Sequence, residues 1–368
     1  MRFSEIIGQE KLKSKLIVGV KNGRIPHAQL FLGKSGFGGL PLALAYAQYI
    51  SCINPTDSDS CGECSSCRKM QSITHPDMHF SFPFPSDKAK KSSDLMVEWR
   101  AVLTEKPYVN LPDWMSVLGA EKKQANFPIA ECREIIRSLS LKPFESEYKF
   151  LVLWLPEYLG NEGNVLLKII EEPPHNTIFL LVAENEEKIL GTILSRTQSV
   201  KVPPLLVSEL TEFLIKSNEL TEDEATRVAH ISHGDFNESQ KFANGFESPF
   251  FETWRGWMAL CYGRKMGELV NWADNTAQMG KESLKGFLQY GLELLRGVLV
   301  SSYSSELNTW DGSEGKFITN MNSMNLPFEN LELMCNEIER SIGLIERNAQ
   351  PKIVLLDLSF LITRKLKK

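Results

Sequence analysis

Short apolar runs alternate with helical patterns in the first half of the chain. The runs at residues 28–33, 149–155 and 177–183 each have the length and composition of a buried strand. Helical patterns occupy residues 40–46 and 164–172 between them. Strands that alternate with helices predict a parallel sheet covered by helices, so the first half of the chain is expected to be an α/β domain.

The pattern changes after a pair of prolines at 203–204, because the rest of the chain is helical in character. Leucines recur at helical spacing in its longer segments. We therefore expect an α/β core at 1–204, a small helical lid at 205–246 and an all-helical domain at 247–368. The helices predicted after the prolines are 207–217, 221–232, 235–243, 248–263, 281–302, 328–347 and 350–366.

One stretch of the core, residues 83–126, has no clear period. It mixes proline, serine and lysine with scattered tryptophans, so we interpret it as an insertion of loops and one helix. Helical spacing returns at residues 129–141, where Ile129, Cys132 and Ile136 share a face. The composition of the insertion does not indicate what it does.

Composition and charge are those of an ordinary globular chain. Of 368 residues, 42% are hydrophobic and 24% are charged. The length predicts two or three domains at ~150 residues each. A net charge of -5 argues against DNA binding through a generally basic surface. No apolar run reaches the ~18 residues of a membrane span, and residues 1–5 do not begin a signal peptide, so we expect a cytoplasmic protein.

A glycine-rich loop follows the first predicted strand and contains Gly33, Gly36, Gly38 and Gly39. Gly33 and Gly38 match the outer glycines of G-x-x-x-x-G-K-[ST], a pattern in which backbone N–H groups cradle phosphates. Gly39 stands in place of the lysine, and Leu40 stands in place of the hydroxyl that holds magnesium. The alternative interpretation is a plain glycine-rich turn between a strand and a helix.

The strand predicted at 149–155 also lacks the acids of an ATPase. It ends in Trp154 and Leu155, and the first carboxylate after it is Glu157. An ATPase needs acids at this strand end for magnesium and for the attacking water. Because two parts of the site fail together, we expect no ATP hydrolysis, while weak nucleotide binding by the loop backbone stays open.

Four of the seven cysteines, Cys52, Cys61, Cys64 and Cys67, have the spacing C-x8-C-x2-C-x2-C. Four thiolates so close in sequence can converge on one tetrahedral ion, and zinc is its natural occupant. A site with four protein ligands is structural and folds a short loop. An iron–sulphur cluster and free thiols are the alternatives. His75 is either an outside ligand or a residue at the start of a strand, and the other three cysteines are expected to be buried thiols.

Arg196 lies between the strand predicted at 177–183 and a short apolar stretch at 200–202, so it stands at the end of an element. An arginine there can project into the nucleotide site of a neighbouring subunit and stabilise charge on the phosphate, as arginine fingers do. The alternative is a surface arginine in a local ion pair.

Taken in order along the chain, these features resemble the bacterial clamp-loader AAA+ subunits of the DNA polymerase III holoenzyme. The resemblance covers about residues 1–204, with 83–126 unmatched, and the helical remainder agrees in layout only. Besides the glycine loop and the cysteines, the motifs that carry it are residues 3–9 (FSEIIGQ), 25–28 (IPHA), 75–77 (HPD), 164–174 (NVLLKIIEEPP) and 195–197 (SRT).

The resemblance implies a fold and a role. The fold is an AAA+ core with a small helical lid and an all-α C-terminal collar, within a ring of five subunits. The cysteines resemble the zinc module of this family, and residues 195–197 resemble its Ser-Arg-Cys motif, which carries the arginine finger, although threonine replaces the cysteine. Asn237 stands where ATP-binding relatives place a lid arginine. These losses imply a non-hydrolysing subunit of the delta-prime kind, because tau/gamma subunits keep a working ATP site.

The implied partners are the tau/gamma and delta subunits, with the sliding clamp and primer-template DNA reached through the assembled ring. The implied cofactor is one structural zinc ion. Nothing in the sequence supports nucleotidyl transfer, so polymerase activity would belong to the holoenzyme and not to this chain. Two alternatives stay open, namely a zinc-stabilised AAA+-like adaptor outside the clamp loader and an active ATPase of the tau/gamma kind.

Overall fold

The computed structural model describes residues 1–218, 220–243, 250–303, 310 and 312–366. The chain divides into two compact units, Met1–Ala243 and Asn244–Lys368. The boundary predicted between residues 246 and 247 lies outside the described residues.

The first unit is built on a five-stranded sheet. Its strands, numbered along the chain with the ranges given at the end of this paragraph, lie in the order β2-β3-β4-β1-β5, and every neighbouring pair is parallel. β3 and β4 are buried at every position, which is why both read as continuous apolar runs in the sequence. The strands predicted at 28–33, 149–155 and 177–183 are confirmed. Within the described part of the chain the strands are β1 (Ala28–Leu32), β2 (Met78–Ser81), β3 (Lys149–Trp154), β4 (Thr177–Ala183) and β5 (Gln198–Lys201).

Helices cover both faces of this sheet. Alternate residues of a strand point to opposite faces, and Phe150 and Val152 belong to one apolar cluster while Leu151 and Leu153 belong to another. The stretch predicted as a helix at 164–172 is a 3-10 helix (Gly160–Leu166) followed by a short α-helix (Leu167–Glu171). The α-helices before the lid are α1 (Glu10–Lys21), α2 (Gly39–Ser51), α3 (Ser65–Gln71), α4 (Met96–Glu105), α5 (Leu111–Val117), α6 (Ile129–Leu139), α7 (Leu167–Glu171) and α8 (Gly191–Leu194).

The insertion at 83–126 is more regular than its sequence suggested, because it contains two α-helices, α4 and α5, where loops and one helix were expected. Both helices are short, and each buries a tryptophan. Trp99 stacks on Phe82 with 4.2 Å between the ring centroids and lies 5.0 Å from Trp154 at the end of β3. Trp114 packs edge-on against Trp99 at 5.1 Å. The insertion is therefore part of the main core and covers the end of β3.

Three helices after β5 form a small cluster of their own, as the sequence predicted for the lid. They are α9 (Val207–Asn218), α10 (Glu222–Ile231) and α11 (Phe236–Ala243). Leu210 and Leu214 of α9 pack with Ala225 and Ala229 of α10. The N–H of Glu224 donates to the Thr221 hydroxyl, and the Glu224 carboxylate accepts from the Thr221 N–H, so a capping box starts α10.

The second unit is helical throughout its described residues. Its core contains stacked tryptophans, with the Trp257 and Trp272 rings 4.7 Å apart. α13 and α15 were not predicted, and residues 248–249 of the helix predicted at 248–263 lie outside the described residues. The helices are α12 (Phe251–Gly263), α13 (Met266–Thr276), α14 (Lys281–Tyr303), α15 (Gly312–Ser323), α16 (Phe328–Glu346) and α17 (Pro351–Lys365).

The expected fold class is confirmed, with a parallel α/β core, a small helical lid and an all-α C-terminal region. Among the described helices, none is both long enough and apolar enough to cross a membrane.

Candidate functional site

The carboxyl ends of the parallel strands meet at one edge of the sheet, and the glycine loop lies there between β4 and β5. The N–H of Gly33 donates to the carbonyl of Ala183 at 3.0 Å, which anchors the loop to β4. A Cβ on Gly33 would lie 2.4 Å from the carbonyl oxygen of Val202, so only glycine fits. Gly38 has φ 95° and begins α2 in the left-handed conformation that favours glycine.

Apolar side chains occupy the positions where the phosphate-loop pattern and its partner strand carry polar groups. Leu40, Trp154 and Leu155 are 3%, 1% and 2% exposed, and all three belong to the main hydrophobic core. Gly39, which replaces the lysine, is buried at the start of α2. These four residues offer neither a cation for phosphate nor a side-chain oxygen for magnesium.

Two carboxylates lie directly against the glycine loop. Glu184, the first residue after β4, accepts a hydrogen bond from the N–H of Ser35 at 3.2 Å. Asp235 starts α11 by accepting from the N–H groups of Asn237 and Glu238, and its Oδ1 lies 1.8 Å from where a Cβ on Gly36 would stand. Although Glu184 keeps an exposed face, removal from water raises the pKa of both carboxyl groups.

A third carboxylate lies next to this pair. Glu157 Oε1 accepts from the N–H of Glu184 at 2.9 Å, whereas its Oε2 is buried and has no partner among the described residues. Burial raises the pKa of Glu157 to about 7. The loop whose N–H groups could cradle a phosphate is therefore surrounded by groups that repel an anion when they are charged.

Tyr108, which comes from the insertion, covers the loop from another side. Its ring lies 3.1 Å from where a Cβ on Gly38 would stand, and 4.4 Å from the ring of Phe236 in the lid. The Tyr108 hydroxyl accepts from the N–H of Ile7 at 3.0 Å, and its carbonyl accepts from the side chain of Asn237 at 2.8 Å. Burial raises the pKa of Tyr108 to about 12. The N-terminal segment, the insertion and the lid thus meet over the loop.

Sequence reasoning identified the glycine loop but missed Glu157, Glu184, Asp235 and Tyr108 as the groups around it. Glu157 and Glu184 carry a usable signal, since each follows a buried parallel strand whose carboxyl end must lie near the loop. No sequence pattern marks the other two.

The four predicted cysteines are brought together, and all four Sγ atoms lie within 4.8 Å of one another, so this group could hold a metal ion. The Sγ atoms of Cys61 and Cys67 are 3.9 Å apart, close to the edge of about 3.8 Å that a tetrahedron with bonds of about 2.3 Å requires. The N–H of Cys64 donates to the sulphur of Cys61 at 3.4 Å. Such backbone donors lower the pKa of Cys61 to about 6, which favours the thiolate needed by a metal.

His75 is not a member of this cysteine group. It is buried just before β2, and its Nδ1 accepts from the N–H of Asp77 at 3.2 Å. Its position agrees with the interpretation of a residue at the start of a strand. The remaining cysteines are buried free thiols, as expected: Cys132, Cys261 and Cys335.

Arg196 follows α8 and folds back onto its own neighbourhood. Its Nη2 lies 3.0 Å from Oε2 of Glu171, the last residue of α7, and its Nη1 donates to the carbonyl of Thr192 at 2.9 Å. The Arg196 side chain is 31% exposed. In the single chain this arginine therefore makes the local ion pair that the sequence left as an alternative, while part of the side chain reaches the surface.

The parallel sheet with a glycine loop after β1 and a helical lid beside that loop defines a protein of the AAA+ class. The family model described as DNA polymerase III, delta subunit, matches residues 8–206, more than half of the chain, and the chain belongs to this family.

Curated relatives include two kinds of DNA polymerase III subunit. Subunit tau/gamma of Haemophilus influenzae is 24% identical over 243 residues, which are 64% of this chain and 30% of that protein. Subunit delta' of Bacillus subtilis is 26% identical over 211 residues, which are 57% of this chain and 52% of that protein. The chain thus spans between about a third and a half of these relatives.

Among solved structures, a DNA polymerase III gamma subunit-related protein from Thermotoga maritima is 13% identical, with a TM-score of 0.39. The alignment covers 98% of this chain and 100% of that one.

Proposed function

We propose that this chain is a non-hydrolysing, delta-prime type subunit of a DNA polymerase III clamp loader. It belongs to the family on the evidence of residues 8–206, and both delta' and tau/gamma relatives match it at similar identity. The observation that favours the delta-prime type is the glycine loop, which lies beneath the protein's own side chains. The Glu184 carboxylate accepts a hydrogen bond from the N–H of Ser35. Asp235 packs against Gly36, and Tyr108 packs against Gly38.

A triphosphate would meet several obstacles at this loop. It would have to displace the Glu184 carboxylate from the Ser35 N–H and approach Asp235, another carboxylate. Like charges at such short range repel each other, and more strongly than in bulk water, because both carboxyl groups are partly removed from water. The loop's own cation, Lys34, already interacts with Glu184 and Asp235. No lysine stands at Gly39, and no hydroxyl or acid stands at Leu40 or Trp154 to bring magnesium. We therefore expect neither hydrolysis nor strong nucleotide binding at the loop.

The proposed active role of the chain is to supply Arg196 to the ATP site of a neighbouring subunit. An arginine finger supplied in trans stabilises the charge that develops on the transferred phosphate. Releasing Arg196 from Glu171 costs little, because a partly exposed ion pair contributes about 0–1 kcal/mol. A phosphate offers the guanidinium a stronger, charge-assisted partner.

The proposed cofactor is one structural zinc ion held by Cys52, Cys61, Cys64 and Cys67. The four sulphur atoms already converge, and backbone N–H groups donate to three of them, those of Cys52, Cys61 and Cys64. When bound, zinc would cross-link the loop between α2 and α3, which has few core residues of its own.

The proposed partners are the tau/gamma and delta subunits, and through the assembled ring the sliding clamp and primed DNA. In this assignment the C-terminal helices form the collar that holds the ring together.

Co-expression with the tau/gamma and delta subunits of the same organism tests the proposal. We expect the chain to copurify in a stable complex and, when purified alone, to hydrolyse no ATP. Hydrolysis by the isolated chain would support an active ATPase of the tau/gamma kind instead. A folded chain that never joins the complex would support an adaptor outside the clamp loader.

A further inference from the structure

A cavity of about 760 Å³ lies between α1 and β5 in the first unit, with the glycine-loop residues outside its lining. β5 is an edge strand of the sheet, and it forms one wall of the cavity. Part of α1 forms the opposite wall. Gln29 of β1 and Tyr46 of α2 also line the cavity, and since they are 4% and 1% exposed they form its inner wall. The volume is within the range of about 300–1,000 Å³ typical of small-molecule sites.

The residues that line this cavity carry positive charge without any acid. Lys15, Arg24 and Lys201 line it, and no aspartate or glutamate does. Across the described residues, none of the three cations forms an ion pair. Although the chain as a whole has a net charge of -5, three cations without ion pairs line this one cavity. The cavity is therefore locally positive. This distribution favours an anionic ligand.

The inner wall offers a hydrogen-bonding pair. Gln29 Nε2 donates to the Tyr46 hydroxyl at 3.2 Å, while Gln29 Oε1 is buried with no partner among the described residues. Turning the amide over would give the Tyr46 proton an acceptor but leave Nε2 unpaired, so one polar atom of this amide lacks a partner in either orientation. Oε1 has almost no surface open to solvent, so a ligand reaches it only after the Gln29 side chain turns towards the cavity that it lines. Because buried polar atoms are seldom left unpaired, this movement would gain a hydrogen bond.

We propose that this cavity binds a nucleoside 5′-phosphate, either as a free nucleotide or as the end of a nucleic-acid strand. Leu12, Leu16 and Val200 supply the apolar walls that a flat base requires. Once it has turned towards the cavity, the Gln29 amide offers one donor and one acceptor, which is the pattern that the edge of a base complements. Lys15, Arg24 and Lys201 hold the phosphate. The site is independent of the proposed clamp-loader role, because it uses neither the glycine loop nor Arg196.

Titration calorimetry of the full chain at low salt tests this site, with dAMP, ATP and a 5′-phosphorylated oligonucleotide as probes. We expect saturable binding of at least one probe, and at least a tenfold loss of affinity in the double variant Lys15→Glu, Lys201→Glu. Gln29→Leu should also weaken binding. Lys11→Glu is the matched control, since Lys11 is exposed on the same helix and does not line the cavity.

Lys34→Ala, at the glycine loop, separates the two sites and should leave binding unchanged. Binding of dAMP and ATP as tight as that of the oligonucleotide identifies a free nucleotide as the ligand, and much tighter binding of the oligonucleotide identifies a strand end. The proposal is overturned if no probe binds, or if the double variant binds as well as the wild type. It is also overturned if binding disappears only in Lys34→Ala, or if an acidic peptide binds in preference to every nucleotide.

Discussion

The guanidinium of Arg196 lies 3.0 Å from the carboxylate of Glu171, so two motifs that are separate in the sequence meet in the fold. Glu171 ends α7 just before a pair of prolines, and Arg196 follows α8. The ion pair holds the arginine against its own chain while both side chains keep contact with solvent, at 31% and 56% exposure. Such a partly exposed pair contributes little free energy, so it can be broken at low cost.

The first prediction concerns this ion pair. Replacing Glu171 by Gln should lower the free energy of unfolding by no more than about 1 kcal/mol, because the pair is partly exposed. Urea unfolding measures the change, and Glu172→Gln at the exposed neighbouring residue is the control. A loss several times larger would mean that Glu171 holds the structure together and does not merely restrain Arg196.

The second prediction concerns the close approach of the lid to the glycine loop. Gly36→Ala would place a Cβ 1.8 Å from Asp235 Oδ1, so the carboxylate must leave the start of α11. Loss of this cap should cost about 1–2 kcal/mol of stability. In the Asp235→Ala background the same glycine substitution should cost much less, because the clash is gone. Equal costs in both backgrounds would show that Asp235 does not pack on Gly36.

The third prediction concerns pH. Burial raises the pKa of Glu157 from its ordinary value of 4.5 to about 7, so the folded protein binds this proton more tightly than the unfolded chain. The contribution of Glu157 to stability is therefore fully present below pH 4.5 and is lost as the pH rises towards 7. Glu157→Gln removes this dependence.

Compared with the wild type, Glu157→Gln should gain stability between pH 5 and 8, by at most about 3 kcal/mol. Thermal unfolding across this range measures the difference, with Glu187→Gln at an exposed position as the control. A difference that does not vary with pH would contradict the burial of this carboxyl group.

The fourth prediction concerns the cysteine group. Elemental analysis of the purified chain should find one zinc per molecule, and Cys67→Ser should remove it and expose the segment at 52–67 to proteolysis. Cys132→Ala, at a buried thiol outside the group, should keep the metal. Iron with the visible absorption of a cluster would contradict zinc, and a metal-free wild type would contradict a metal site altogether.

Sequence patterns predicted the elements whose apolar faces are long and regular. β3 and β4 are buried at every position and were predicted from their apolar runs. β2 has only four residues, including His79 and Ser81, and was indicated only by the interpretation of His75 as a residue at the start of a strand. The helices of the insertion were underestimated because each is short and buries its tryptophan among aromatic side chains far away in sequence. Length and regularity of the apolar pattern thus account for the strands and for the insertion, but not for α13 and α15, which have 11 and 12 residues and were not predicted.

Some features of the candidate site could be predicted from the sequence, and others could not. Spacing alone predicted the cysteine group, because its ligands are close in sequence. The absence of a lysine at Gly39 and of acids at β3 could also be read directly. The side chains that cover the loop could not be predicted from the sequence, because Tyr108 and Asp235 reach it only through tertiary packing. Nor could the sequence reveal that Arg196 pairs with Glu171.

The measurement that tests the central claim most directly is the ATPase rate of a reconstituted clamp loader with sliding clamp and primed DNA. It compares the wild type with Arg196→Ala, and with Arg133→Ala as an exposed-arginine control on α6. After assembly is verified for each complex, Arg196→Ala should lower the stimulated rate at least about tenfold, while Arg133→Ala leaves it unchanged. An unchanged rate in an intact Arg196→Ala complex would contradict a subunit that acts on its neighbour's ATP.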